Sequence, residues 1–111
     1  MKNRVRAGEL RHPISIEEQV ETQDSYGGVV ITWNNLLDTR AKIVPVTGGE
    51  WYINDQLANT VDHSILIRHP RFDIPYSARI IFNGREFNIV KMLNFEERDM
   101  HLVILAKEKK Q

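Results

Sequence analysis

The chain has 111 residues, the length of one ordinary globular domain, which is enough to bury a core of its own. Lysine plus arginine and aspartate plus glutamate number 15 each, so no global basic field is available to attract nucleic acid. The absence of cysteine excludes a disulfide scaffold and a thiolate metal site. Residues 102–106 form the longest apolar run, far short of the roughly 20 residues that a membrane helix needs. With no apolar segment after the N-terminal charges, we expect a soluble protein without a signal peptide.

Basic residues outnumber acidic residues at both ends of the chain. Residues 1–12 are rich in arginine and show no strand alternation, so we expect a flexible basic arm. Residues 108–111 form a short basic tail, and residues 13–107 are expected to form a single β domain. These basic ends would either be solvated or meet an acidic partner, such as an acidic loop of a neighbouring copy.

Two alternating segments near the start of the chain predict a β-hairpin. The first places apolar side chains on one strand face, namely Ile14, Ile16 and Val20. A turn follows at 24–28, where Gly27 and Gly28 tolerate positive φ. The return strand, 29–33, is expected to direct Val29, Ile31 and Trp33 inward. Residues 34–38 then form a polar corner.

The stretch 41–69 is the part around which the rest of the chain is organised. A strand at 41–46 is interrupted by Pro45, which cannot donate to a ladder, so this strand lies at an edge or leaves the sheet there. A second strand, 61–69, alternates with Val61, His63, Ile65 and Ile67 on one face. Between them, residues 48–60 form a long loop, with a short helix at 51–58 as the alternative. Residues 43–67 contain no lysine or arginine, so this excursion is acidic.

The remaining signals are also β. Asn83 and Gly84 lie between strands 78–82 and 86–90, and Asn-Gly is the strongest short hairpin signal. After a turn at 96–99, the last strand, 101–106, is apolar on both faces and therefore central. The expected fold is all-β: a small barrel or sandwich of about seven short antiparallel strands, with a long loop or short helix inserted between the third and fourth.

The sequence offers no convincing catalytic or metal site. Asp62, His63 and Ser64 are adjacent, and because neighbouring strand residues point to opposite faces they cannot converge as a triad. The four histidines lack metal-ligand spacing; along a strand, His63 and His69 would stand roughly 20 Å apart. No catalytic residue, metal or cofactor is therefore predicted, and an enzyme is the last choice.

A small nucleic-acid-binding barrel is the alternative from another functional class. Such barrels present aromatic platforms to bases, whereas Trp33 and Phe87 are expected in the core here. Trp51 and Tyr52 lie in the acidic excursion, which would repel phosphate. This pair is either a local cap on the core or an anchor at a protein interface.

An ordered series of short motifs resembles the head-tail joining, or head-closure (stopper), proteins of long-tailed bacteriophages and their prophages. The series spans nearly the whole chain and consists of Gly8-Glu9-Leu10-Arg11-His12 before an Ile-x-Ile strand, Asp24-x-Tyr26-Gly27-Gly28, Trp33, Ala41-Lys42, Thr47-Gly48-Gly49-Glu50, His63-x-Ile65-x-Ile67-Arg68, Arg79-Ile80 and Gly84-Arg85-x-Phe87-x-Ile89. It departs from the family at 69–72, where an aromatic residue is expected directly after Arg68. The arm is also longer than usual.

The resemblance implies a structural virion protein that binds below the portal and adaptor after DNA packaging, closes the head and provides the tail attachment surface. The assembled ring is expected to be dodecameric, with portal, adaptor and tail or tail-terminator proteins as partners. Double-stranded DNA would pass through the channel without sequence-specific binding. The protein would reside in the virion neck, and in the host cytoplasm during assembly. Another neck or tail-completion component is the near alternative.

Three groups of residues are assigned on this basis. The channel-facing loop is expected to present Gly48, Gly49, Glu50, Trp51, Tyr52, Asp55 and Asp62. Docking to neighbouring subunits or to the adaptor is expected to use Lys2, Arg4, Arg6, Arg11 and Arg68. The structural turn residues are Gly27, Gly28, Asn83 and Gly84.

Overall fold

A computed structural model of the chain describes residues 7–46, 61–94 and 100–109. A single 3₁₀ turn at Ala7–Glu9 precedes the strands. The strands are β1 (His12–Gln23), β2 (Val29–Pro45), β3 (His63–Arg68), β4 (Arg79–Phe82), β5 (Arg85–Asn94) and β6 (His101–Glu108). The predicted all-β class is confirmed, and no helix in these ranges has the length and hydropathy needed to cross a membrane.

The described strands form a closed antiparallel barrel in the order β1-β2-β3-β6-β5-β4. Closure is made where β4 returns to β1 and Ser15 pairs with Ile81. The predicted central position of the last strand is confirmed, because β6 pairs with β3 on one side and β5 on the other. A barrel leaves no open sheet edge along these paired segments.

The prediction of about seven strands exceeds the described number by one, because two predicted strands are a single element. β2 runs unbroken for 17 residues and includes the segment 34–38, so the predicted polar corner is wrong. These residues instead continue the ladder with β1 across a β-bulge: Ile16 pairs with Leu37, whereas Glu17 pairs with Asn35. Polar side chains are compatible with a strand here because the outer face is exposed.

The bulge also reverses the predicted orientation of the return strand. Leu36 is the extra residue of the bulge. In β2, odd-numbered residues therefore face the barrel interior after Leu36 but face outward before it. Val29 and Ile31 are consequently exposed, and the prediction that they point inward is wrong. Trp33 is half-buried on the outer face instead of lying in the core.

The core fills the barrel interior with alternate residues of all six strands. Phe87 has no exposed surface, which confirms its predicted place in the core. Its companions with no exposed surface include Ile16, Ile65, Ile67, Ile80 and Ile104. A second cluster around Val103 and Leu105 lies on the other face of β6 and takes in Val61, so β6 is apolar on both faces as predicted.

Two turns have the backbone geometry that their residues favour. Asn83 (φ 53°) and Gly84 (φ 76°) form the two-residue connection between β4 and β5. At the tip of the β1–β2 hairpin, Gly27 has a φ of 84°. There the Asp24 carboxylate accepts hydrogen bonds from the backbone N–H groups of Tyr26 (2.9 Å) and Gly28 (2.8 Å).

Some predictions fall outside the described residues. These are the loop 48–60 with its alternative helix at 51–58, the first six residues of the N-terminal arm, the turn at 96–99 and the last two residues of the tail. The predicted domain boundaries at residues 12 and 107 stay predictions.

Candidate docking surfaces

The antiparallel order gives the barrel two different ends. At one, which we call the hairpin end, β3 ends, β6 begins and the distal part of the β1–β2 hairpin projects. At the other, the loop end, β2 ends at Pro45 opposite His63 of β3. The Asn83-Gly84 turn and the end of β6 lie at the loop end too. The two ends of the barrel are therefore formed by different strand termini and turns.

The base of the predicted channel loop is held by backbone hydrogen bonds. The Val46 N–H donates to the Asp62 carbonyl oxygen (2.9 Å), and the Asp62 N–H donates to the Ala106 carbonyl oxygen (3.0 Å). Val46 and Asp62, which flank the segment 47–60 and Val61, are thereby held together at the loop end, and Asp62 is also bonded to β6.

Asp62 is the one predicted channel residue that falls within the described ranges. Its carboxylate accepts a hydrogen bond from the Glu108 N–H (2.9 Å) and lies 2.8 Å from His63 Nδ1. These contacts fix the loop base to β6. A channel-facing position for this side chain stays a prediction, and Gly48, Gly49, Glu50, Trp51, Tyr52 and Asp55 lie outside the described residues.

A charged pair lies beside this base. Arg85 donates from Nε to Glu108 Oε2 (2.8 Å) and from Nη2 to Oε1 (2.9 Å), a two-point contact between guanidinium and carboxylate. The hydrogen bond to Glu108 raises the pKa of Arg85 above its ordinary value, so this cation stays charged. The guanidinium also lies over the Phe87 ring, 5.2 Å from its centroid.

Asp62 and His63 contact each other as the acid and the base of a hydrolase triad do, but the described residues place no nucleophile beside His63. Ser64 follows His63 along the strand and so points to the opposite face. The second ring nitrogen of His63 lies 3.5 Å from Arg85 Nη2, which cannot act as a nucleophile. Within the described ranges, no group of three or more potential ligands could hold a metal ion.

Two of the predicted docking residues are described, and both are exposed. The Arg11 Nε donates to the Gly8 carbonyl oxygen (3.0 Å), which closes the 3₁₀ turn before β1. Arg68 ends β3 and lines a cavity of about 340 Å³ together with Leu10, Thr39 and Arg40. Burial, together with the charge of Arg68, lowers the pKa of the neighbouring His101. Lys2, Arg4 and Arg6 lie outside the described residues.

Sequence reasoning missed the contact that fixes the projecting hairpin to the barrel. Arg79 of β4 contacts Glu17 of β1 (2.8 Å) and Glu86 of β5 (3.3 Å). Its guanidinium also lies over the Trp33 ring, 4.1 Å from the centroid. The partners are distant in sequence, and no local pattern signals such a contact. Arg40, which lines the cavity, was missed for the same reason.

Comparisons with known proteins agree with this geometry. A family model described as phage head completion protein matches residues 5–109. A solution structure of protein SF1141 from Shigella flexneri 2a is 26% identical, with a TM-score of 0.71, over 94% of this chain and 96% of that one. A chain from the virion of a native gene transfer agent particle shares the fold, with a TM-score of 0.64 and 22% identity, over 96% of this chain and 98% of that one. Among curated proteins, none matches the sequence.

Proposed function

Since the chain belongs to the family of phage head completion proteins, we propose that it is the neck component that closes the filled head and receives the tail. It binds below the portal and adaptor after DNA packaging and assembles there as a ring, for which twelve copies are expected. The family match over residues 5–109 carries this proposal. The likeness of the fold to a chain of a gene transfer agent virion is consistent with it.

The two ends of the barrel support a role as a joint between two other assemblies. The main core lies inside the closed barrel, so contacts at either rim can form without disturbing it. A neck protein needs such independent surfaces, one toward the head and one toward the tail. It works by binding and positioning, and the described residues contain no arrangement that calls for catalysis in addition.

The acidic loop is assigned to the channel. Residues 43–67 contain no lysine or arginine, while the loop carries Glu50 and Asp55. Negative side chains repel the phosphate backbone across a narrow aqueous channel, so DNA passes without sticking. The hydrogen bonds of Val46 and Asp62, which flank the loop, lie at one end of the barrel and support an assignment of the loop to that rim.

The basic N-terminal arm is assigned to docking. Lys2, Arg4, Arg6 and Arg11 precede or adjoin the start of β1, where the chain enters the barrel. A basic segment of this kind gains order when it meets an acidic surface of a neighbour. The arm adds contacts on assembly and contributes little to the barrel core.

The test is co-sedimentation of the purified protein with DNA-filled, tailless heads that lack it. We expect saturable attachment and protection of the packaged DNA from nuclease. Deletion of residues 1–5 should weaken attachment without lowering the unfolding midpoint of the free protein. A well-folded protein that never attaches to such heads would refute the head-closure assignment and direct the search to the tail side of the joint.

The channel assignment needs a separate variant pair. Glu50→Lys with Asp55→Lys should allow attachment but disturb DNA retention or ejection, since the loop would then attract the DNA backbone. Glu50→Gln with Asp55→Asn is the matched control, because it removes the negative charges without adding positive ones. Asp62 is left unchanged in both, as its side chain fixes the loop base. Unchanged infectivity of the lysine variant would refute the channel position.

A DNA-binding barrel is distinguished by salt dependence. A module that neutralises several phosphates loses affinity steeply as salt rises. We expect weak binding of free double-stranded DNA at every salt concentration, as measured by fluorescence anisotropy. Tight binding at low salt that falls steeply with salt would favour the nucleic-acid-binding alternative.

A further inference from the structure

The distal part of the β1–β2 hairpin, residues 18–34, lies beyond the closed barrel, and we call it the hairpin arm. β4 pairs with β1 only at residues 15–17, and β3 pairs with β2 only at residues 41–45. Within the described residues, the two strands of the arm therefore pair only with each other. Its six residues of β1 span roughly 20 Å. Both outer edges are available to another chain.

The hairpin arm carries several exposed apolar side chains that the barrel does not cover. Tyr26 at the tip is 95% exposed, Val29 65% and Ile31 50%. Val29 and Ile31 share one face of the arm, because they pair with Gln23 and Glu21 of β1. Contiguous exposed apolar residues of this kind are typical of interaction sites.

The hairpin arm is also uniformly acidic. Residues 12–39 contain no lysine or arginine, and the arm carries Glu18, Glu21 and Asp24. In the part of the chain that the structure describes, Glu18 and Glu21 form no ion pair. An exposed strand with unpaired carboxylates and apolar neighbours favours a partner surface that is basic at its edges and apolar inside.

The chain itself contains such a surface. The cavity lined by Leu10, Thr39, Arg40 and Arg68 has a volume of about 340 Å³ and an arginine from each of two adjacent strands. The buried Leu10 supplies an apolar part. The Arg40 side chain donates a long hydrogen bond to the Arg11 carbonyl oxygen (3.5 Å), and no carboxylate of the described ranges pairs with Arg40 or Arg68.

We propose that the hairpin arm of one copy docks on this cavity of the next copy, with Tyr26 as the anchor and Glu21 facing Arg40 and Arg68. The inference rests on the proposed function and adds the contact by which the copies join. The opposite charges and the complementary apolar parts favour a second copy as the occupant. Because arm and cavity are different surfaces, the contact is heterologous, and its repetition around an axis closes a ring.

The first test replaces Tyr26 with a photoreactive phenylalanine analogue and illuminates the concentrated protein and the assembled particles. We expect a covalent dimer whose cross-linked peptide contains residues 10, 39, 40 or 68 of a second copy. Tyr76, another exposed tyrosine, is the matched control position outside the arm. A cross-link to the adaptor or to a tail protein, or none to a second copy in either sample, would overturn the proposal.

The second test reverses charges across the predicted contact. Glu21→Arg and Arg40→Glu should each weaken self-association about tenfold, because each reversal places like charges opposite each other in the contact. The double variant should recover most of the affinity, because opposite charges then face each other again. Lys107→Glu, at an exposed position of β6, is the control and should leave self-association unchanged. Sedimentation velocity over a concentration series supplies the dissociation constants.

Failure of this contact and failure of the proposed function are distinguishable. If charge reversal leaves self-association unchanged while the wild-type protein still closes heads, the contact is wrong and the neck role stands. If the wild-type protein never attaches to heads, the neck role is wrong, and recovery in the double variant still decides the contact between copies.

Discussion

β1 and β2 both run from the six-stranded barrel into the hairpin arm, but the side chains of the two regions are buried to very different extents. In β1, Ile14 is 3% exposed and Ile16 is fully buried, whereas Ile31 of the arm is 50% exposed. Closure provides the inward-facing residues of the barrel with neighbours across the interior, whereas the two strands of the hairpin arm pair only with each other and contact the barrel through Arg79 over Trp33. Isolated two-stranded hairpins are marginally stable at best in water. The barrel therefore supplies most of the stability of the fold, whereas the hairpin arm is the part that a binding partner can stabilise.

The largest difference between the two regions should come from truncating a buried aromatic residue. Phe87→Ala removes a fully buried ring that contacts His63 edge-to-face (5.0 Å), and should lower the free energy of unfolding by about 3–5 kcal/mol. Ile31→Ala in the arm should change it by less than about 0.5 kcal/mol. Urea unfolding followed by fluorescence measures both. Comparable losses of unfolding free energy at Phe87 and Ile31 would refute the conclusion that the barrel, and not the hairpin arm, stabilises the fold.

The second largest difference between the barrel and the hairpin arm should come from backbone strain at a glycine with positive φ. Gly84→Val forces a β-branched residue into a positive φ within the barrel and should cost about 1–3 kcal/mol of unfolding free energy. Gly27→Val introduces similar strain at the tip of the arm, where local opening relieves it without unfolding the barrel. Thermal unfolding should show a lowered midpoint for the first variant alone. Gly8→Ala, with no atom within 4 Å of the added methyl group, controls for the substitution itself.

Removal of Arg79 should loosen the arm while leaving the barrel closed. The alanine variant loses two carboxylate contacts and the position over Trp33, at a cost of about 1–2 kcal/mol. Hydrogen exchange should accelerate at residues 29–34 and stay slow at residues 65–67.

The matched control for this variant is Arg85→Ala at the loop end. Its ion pair with Glu108 is exposed and should contribute about 0–1 kcal/mol. Uniform acceleration of exchange in both regions of the Arg79 variant would mean that this residue supports the whole fold and not the base of the arm.

The smallest predicted effect is a pH dependence at the hairpin end of the barrel. Burial, and secondarily the charge of Arg68, lowers the pKa of His101 below 6.5 in the folded state. The unfolded chain then binds more protons than the folded one, so stability should decrease as the pH falls from about 6.5 toward the folded pKa. His101→Gln should remove this decrease in stability with falling pH. Arg68→Gln should confine the decrease to a narrower pH range, because the folded-state pKa of His101 then lies closer to 6.5. A pH dependence that the His101→Gln variant retains would assign it to another group.

Local residue patterns were sufficient for a large part of the fold. Asn83-Gly84 predicts a hairpin because the two residues themselves determine the backbone angles of the turn. The alternation around Ile65 and Ile67 predicts a half-buried strand for the same local reason. The apolar run at 101–106 predicts a central strand, and the ordered motifs indicate the family, which the match over residues 5–109 confirms.

The candidate docking surfaces were predictable only in part. Arg11 and Arg68 were assigned to docking from the family resemblance, and this assignment stays a prediction although both side chains are exposed. The cavity was not predictable, because it combines residues from before β1 with residues of β2 and β3. The hairpin arm was missed as well, since its apolar residues have the alternation of a core strand.

The sequence alone determined the all-β class, the hairpin turns at 24–28 and 83–84 and the family, since each depends on neighbouring residues or on their order along the chain. Tertiary structure decided where the barrel closes and which face of each strand it covers. The bulge at Leu36 is the clearest case, because one inserted residue moves Val29 and Ile31 to the outer face. β1 pairs with both β2 and β4 near the bulge, and the sequence of a single segment does not show such pairing.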